Sequence, residues 1–134
     1  MRLHHIGIAV KDLEAAVAAY RGLGLLCADR EEVEGQKVRV AFLPVGESRL
    51  ELLEPTDPEG AVGRFLESRG EGIHHICLEV EDIEAALRRA REAGVRLVDE
   101  KPRGGAGGAK VAFLHPKSLH GVLVELWQGG EKHE

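Results

Sequence analysis

The apolar positions of the first twenty residues change period once. From Leu3 to Val10 the chain is an apolar, β-friendly run; from Leu13 onward Leu13, Ala16, Val17 and Tyr20 recur at three- and four-residue steps. The first pattern predicts a strand and the second an amphipathic helix, with Asp12 as its N-cap and Gly22 and Gly24 as its stop. The same switch returns seventy residues later as strand Ile73–Val80, cap Asp82, helix Ile83–Ala93 and a stop at Gly94. Leu3–Val17 and Ile73–Leu87 align without a gap, with eight of fifteen pairs identical and four more exchanging one aliphatic residue for another.

The likeness continues past the helices. Val40-Ala41-Phe42-Leu43 reappears as Val111-Ala112-Phe113-Leu114, and Leu50-Glu51-Leu52 is echoed by Val124-Glu125-Leu126. Each half leaves room for one more strand, near Leu25–Glu32 and Val95–Glu100. The unit is therefore β-α-β-β-β, used twice within a single domain spanning 1–134: module one over about 3–54, a connector over 55–72 and module two over 73–128. The fold class this predicts is α+β, with the tandem modules forming a curled mixed sheet around a metal-containing cleft and the helices outside. The connector carries Pro55, Pro58 and a short helical stretch, Ala61–Arg69. The glycine-rich run Gly104–Gly108 fits a hairpin connection or, alternatively, a mobile lid or phosphate-contacting loop, and the tail 129–134 is expected to fray.

Composition narrows the function classes. A net charge of −5 without a basic stripe argues against nucleic acid. No apolar run approaches the ~18–20 residues of a membrane span, and the N-terminus lacks signal-peptide features. Cys27 and Cys77 are isolated thiols without CxxC spacing, which predicts a reducing, cytoplasmic setting. The absence of asparagine, with two glutamines and twelve arginines to six lysines, hints at a thermophilic source.

Strand parity then sorts the chemistry, because successive side chains point to opposite faces. Ile6, Ile8 and Val10 share the face that packs on the helix, and His5, Gly7 and Ala9 share the other. His75, Cys77 and Glu79 take the equivalent face of the second copy, while His4 and His74 fall on the helix side. In the closing strands Leu50, Leu52, Val124 and Leu126 face the core, which sends Glu51 and Glu125 the other way. A lone strand His or Glu is usually solvated or salt-bridged, but four at equivalent places with matching parity change that balance. A buried glutamate is costly when unpaired, and a cation offsets the cost. His5, Glu51, His75 and Glu125 are thus candidate metal ligands. Nitrogen and oxygen donors without thiolate disfavour a closed structural zinc site and suit an octahedral Co²⁺, Ni²⁺, Mn²⁺ or Zn²⁺. Four protein ligands leave two positions for a chelating pair of substrate oxygens, the arrangement in which a Lewis acid stabilises an enolate.

The paired modules with their His…Glu…His…Glu order resemble the vicinal oxygen chelate superfamily. HHIGIAVKDLE, LELLEP, GEGIHHICLEV, GGAKVAFLHPKS and GVLVEL resemble bacterial methylmalonyl-CoA epimerases, a likeness that runs from His4 to Trp127. The resemblance implies a metal-dependent isomerase that interconverts (2R)- and (2S)-methylmalonyl-CoA through an enolate. It also implies one divalent ion per chain, Co²⁺ foremost, held by His5, Glu51, His75 and Glu125. A coenzyme A thioester substrate and a homodimer belong to the same expectation. Glu125 is the candidate for one acid/base role. Some relatives carry a further carboxylate on the VAFL-type strand of the first half, whereas Lys37 and Arg39 stand nearby here. The second acid/base group is therefore open among Glu51, a lysine and a metal-bound water. Lys101, Arg103, Lys110 and Lys117 cluster around the glycine loop and the HPKS turn as candidate coenzyme A contacts, Lys117 first, against the plainer reading of a solvated surface. Glyoxalase I is the nearest alternative because it presents the same ligand order, and a non-catalytic binder of the bleomycin-resistance kind is the second. The GEGIHH and LHPKS–GVLVEL segments set the chain apart from the first, and the four well-placed ligands argue against the second.

Overall fold

Both predicted helices start at their caps. In the computed structural model, which describes residues 1–129, the Asp12 side chain accepts the Ala15 N–H at 3.2 Å and α1 runs Leu13–Arg21. The Asp82 side chain does the same for Ala85 at 3.1 Å, and α3 runs Ile83–Glu92. Each cap satisfies an orphan N–H of the first turn. The expected fraying of the tail concerns residues that, from 130 on, lie outside the described ones.

The chain divides into two compact units: His5–His74, and Met1–His4 with His75–Glu134. The first holds β1 (Arg2–Ala9, from His5 on), α1, β2 (Asp29–Val33), β3 (Val38–Val45), β4 (Ser48–Pro55) and α2 (Ala61–Arg69). Its strands lie in the order β2-β3-β4-β1, with β1 parallel to β4 and β3 antiparallel to both neighbours. The second holds β5 (Gly72–Glu79, from His75 on), α3, β6 (Arg103–Gly104), β7 (Lys110–Leu114) and β8 (Val124–Gln128). It repeats the pattern as β5-β8-β7-β6, with β5 parallel to β8 and β7 antiparallel to its neighbours. The α+β architecture of two β-α-β-β-β modules is thus built as the periodicity predicts. No helix among the described residues is long and apolar enough to cross a membrane.

The two cores are built from equivalent residues. Val10, Leu13, Val17, Ala41, Leu43 and Leu52 pack together in one unit, joined by Ile8 and Leu50. Val80, Ile83, Leu87, Ala112, Leu114, Val124 and Leu126 form the counterpart, joined by Ile76 and Leu78. Each cluster sits between one helix and the helix-side face of its sheet, so residues of opposite strand parity face away from it.

The strand expected near Val95–Glu100 does not form; only Leu97 bridges to Leu114. The Asp99 carboxylate takes the Phe113 N–H at 2.8 Å, and the N–H groups of Val98 and Asp99 both converge on the Phe113 carbonyl. A side chain thus replaces a ladder partner, and Pro102 removes a donor before the two-residue β6. The glycine run proves to be the connection of the β6–β7 hairpin, with Ala106–Gly108 as a 3₁₀ turn.

Ahead of α2, the Asp57 carboxylate accepts the Glu59 N–H at 2.9 Å and meets Lys37 Nζ at 3.2 Å. Those two bonds, the backbone one foremost, hold its carboxyl below the usual range. Gly63 packs α2 directly on this turn: a Cβ there would stand 2.6 Å from the Pro58 carbonyl oxygen and 2.7 Å from that of Asp57. Gly63→Ala should therefore lower stability by about 1–3 kcal/mol, the range for overpacking, seen as a fall in the urea midpoint. An unchanged midpoint would mean that the turn yields without cost.

Candidate active site

Among the described residues the buried polar or charged side chains are His5, Glu51, His75 and Glu125, each no more than 5% exposed. All four belong to the strand faces that point away from the helices. Each unit contributes one imidazole and one carboxylate, in contact.

In the first unit, parallel register sets His5 beside Arg49 and Gly7 beside Glu51. His5 Nδ1 lies 3.1 Å from Glu51 Oε2. Arg49 stands two residues before Glu51 on the same face of β4, and its Nε and Nη2 both lie 2.9 Å from that oxygen. The guanidinium also rests 4.4 Å from the ring centre of Phe42, which faces Glu51 across the β3–β4 pair. Such a charge-assisted double contact fixes the carboxylate more firmly than a single bond.

The second unit repeats the arrangement with different supports. His75 Nε2 lies 2.9 Å from Glu125 Oε1, and Cys77 stands beside Glu125 in the β5–β8 register. Phe113 faces Glu125 across β7–β8 and meets the His75 ring edge-on at 5.5 Å. Arg103 lies over Phe113 at 5.6 Å, with its Nε 3.5 Å from Asp99 Oδ1. In both halves, then, a buried His–Glu pair is flanked by a phenylalanine beneath an arginine.

These pairs suit a divalent ion. Neutral imidazole and ionised carboxylate are both metal donors, and the set lacks thiolate. Placing carboxylates at such depth calls for compensating charge or hydrogen bonds, which histidine provides in both units and Arg49 adds in one.

The neighbouring histidines are engaged elsewhere. His4 stacks on Trp127 with ring centres 3.9 Å apart, and His74 meets Phe65 of α2 edge-on at 4.9 Å. Lys37 pairs with Asp57, and Arg39 Nε lies 3.4 Å from Glu54. Lys101, Arg103 and Lys110 line one cavity together with Arg88 and Arg91 of α3, and Lys117 is not among its walls. Lys117 belongs to a 3₁₀ turn, Pro116–Leu119, where His115 Nδ1 accepts its backbone N–H at 3.0 Å.

Sequence reasoning passed over Arg49, Phe42 and Phe113. The signal for Arg49 was available, since residues two apart on a strand share a face. The phenylalanines were visible only as members of the repeated VAFL segment.

Comparison with known proteins places these features among relatives. A family profile described as the glyoxalase/bleomycin resistance protein/dioxygenase superfamily matches residues 4–113. The ethylmalonyl-CoA/methylmalonyl-CoA epimerase of Cereibacter sphaeroides is 46% identical over 130 residues, covering 95% of this chain and 97% of the relative. The mitochondrial methylmalonyl-CoA epimerase of Homo sapiens is 40% identical over 129 residues, covering 95% and 73%. A variant of the Streptomyces coelicolor methylmalonyl-CoA epimerase, solved in complex with 2-nitronate-propionyl-CoA, matches with a TM-score of 0.95 at 42% identity, covering 100% and 98% of the two chains.

Proposed function

Because the chain belongs to the glyoxalase/bleomycin resistance protein/dioxygenase superfamily, we infer that it performs the chemistry of the relatives it matches over nearly its full length. It is an isomerase that epimerises methylmalonyl-CoA at the α-carbon, interconverting the 2R and 2S forms. The observation that carries this reading is the buried His–Glu pair in each unit of a chain so similar to epimerases.

We propose that His5, Glu51, His75 and Glu125 together hold one divalent ion per chain, Co²⁺ before Ni²⁺, Mn²⁺ or Zn²⁺. The donor types and their burial support this. When bound, the ion supplies Lewis-acid stabilisation of the negative charge that develops on the thioester oxygen as the α-proton leaves. Inverting the α-carbon requires one group to take the proton on one face and another to return it on the opposite face. Glu125 is assigned one of these roles and Glu51 is the candidate for the other. A positioned acid or base contributes ~10²–10⁴ in rate. Lys117 is assigned a contact to the coenzyme A moiety from its 3₁₀ turn. A homodimer in the cytoplasm, from a thermophilic source, completes the reading.

Turnover decides between this activity and that of glyoxalase I, which can share the ligand order. The protein should epimerise methylmalonyl-CoA and leave the methylglyoxal–glutathione hemithioacetal unchanged. Turnover of the hemithioacetal alone would overturn the proposal. Binding of small molecules without turnover of either substrate would favour the resistance-protein alternative.

A further inference from the structure

Five cationic residues, Arg88, Arg91, Lys101, Arg103 and Lys110, line one cavity whose walls include none of the His–Glu pairs. This cavity, of about 740 Å³, opens between α3 and the β6–β7 hairpin, within the range of ligand sites. Helical spacing puts Glu84, Arg88 and Arg91 on one wall, while Glu100, Lys101, Arg103 and Lys110 belong to the other, Arg103 turning its guanidinium over Phe113. Leu87 and Ala109, both buried, close the floor.

Arg91 is engaged by Glu100 at 3.1 Å and Arg103 by Asp99 at 3.5 Å. Among the described residues the side chains of Arg88, Lys101 and Lys110 make no ion pair or hydrogen bond, although Glu84 and Glu100 line the same cavity and the whole chain carries a net charge of −5. Like charges gathered in one concavity repel one another and focus a field that attracts anions. A guanidinium and two ammonium groups suit phosphate oxygens, the first as a planar fork and the others as point charges.

Parity separates this cavity from the buried carboxylate of the same unit. Lys110 shares its face of β7 with Ala112 and Leu114, which pack against α3. Phe113, on the opposite face, meets His75. What occupies the cavity therefore lies on the opposite face of β7 from the His75–Glu125 pair.

We propose that this cavity binds a phosphate-bearing ligand with at least two phosphates, held chiefly by Arg88, Lys101 and Lys110. Two sources present that chemistry: the nucleotide end of a coenzyme A thioester and a free nucleoside diphosphate. Only the first rests on the function proposed above.

Calorimetric titration of the full chain with pyrophosphate, ADP and coenzyme A tests this. Stoichiometric binding is expected to weaken as salt rises and to fall at least about tenfold when Arg88→Gln, Lys101→Gln and Lys110→Gln are combined. Arg69→Gln, which removes one charge from α2, should leave binding unchanged. Displacement of coenzyme A by methylmalonyl-CoA, with a raised KM in the combined variant, identifies the substrate's own phosphates. ADP binding undisturbed by substrate identifies a free nucleotide. Should the combined variant fail to fold, Lys101→Gln and Lys110→Gln singly should each weaken binding several-fold. No binding by any probe, or binding that the variants retain, overturns the proposal. Turnover of methylmalonyl-CoA by the native protein, measured alongside, reports separately on the function itself.

Discussion

Glu125→Gln should suppress deuterium incorporation at the α-carbon of methylmalonyl-CoA in D₂O by roughly 10²–10⁴ while leaving the fold intact. The carboxylate is buried and touches His75 Nε2 at 2.9 Å. Glutamine has nearly the same shape, so the packing around Phe113 and β8 should survive. Its amide oxygen can still accept a hydrogen bond from the imidazole. What it cannot do is carry the α-proton, because an amide is not protonated at neutral pH. The isotope readout follows proton abstraction itself, without requiring completed inversion.

Because Glu125 is proposed both as a ligand and as an acid/base group, metal content must be measured on the same preparation. Exchange lost with metal retained assigns the proton-transfer role. Exchange lost together with the metal assigns the ligand role first. Exchange at the native rate removes Glu125 from the mechanism. Glu51→Gln provides the internal comparison, since Arg49 holds Glu51 Oε2 through two contacts at 2.9 Å. The altered amide there leaves a guanidinium facing a weaker acceptor, so a larger stability loss is expected than at Glu125.

Much of this architecture was legible because the relevant signals are local. Asp12 and Asp82 begin helices through bonds to residues three positions on, and Leu13–Val17 and Ile83–Leu87 reveal their buried stripes by spacing alone. Alternation along β4 and β8 sufficed to turn Glu51 and Glu125 from the helices. The Val95–Glu100 segment misled because its partner is a side chain: Asp99 bonds the Phe113 N–H where a strand would have used a carbonyl. Hydropathy could not announce that substitution. The cationic residues show a third case. Lys101, Arg103 and Lys110 were grouped by nearness to the glycine run, yet Arg88 and Arg91 join them only because α3 packs beside the hairpin. Lys117, close in sequence, is carried off by the Pro116–Leu119 turn. Arg49 lay in plain view, but a charged strand residue reads as solvated until Phe42 and Glu51 are seen on either side of it.

Exhaustive chelation should abolish epimerisation, and added Co²⁺ should restore it. The argument starts from the depth of the four donors, each no more than 5% exposed. Anionic oxygen at that depth gains from any divalent charge it can share, so binding the ion should also stabilise the fold. An ion present at ~100 times its Kd adds about 2.7 kcal/mol, so Tm should climb with Co²⁺ concentration in the native protein. His75→Ala tests whether that climb depends on the proposed ligands. Losing a group that merely orients a ligand costs ~10–100-fold in metal affinity, so losing a ligand should cost at least as much. The Co²⁺-dependent rise in Tm should then shrink or shift to far higher concentration. His74→Ala, one residue earlier but packed on Phe65, should lower Tm through lost packing and leave its Co²⁺ dependence in place. Equal loss of the metal response in both variants would show that the strand, and not the parity of its histidines, governs binding. Undiminished turnover by protein shown to be metal-free would refute the metal assignment altogether, leaving the buried pairs to explain by proton transfer alone.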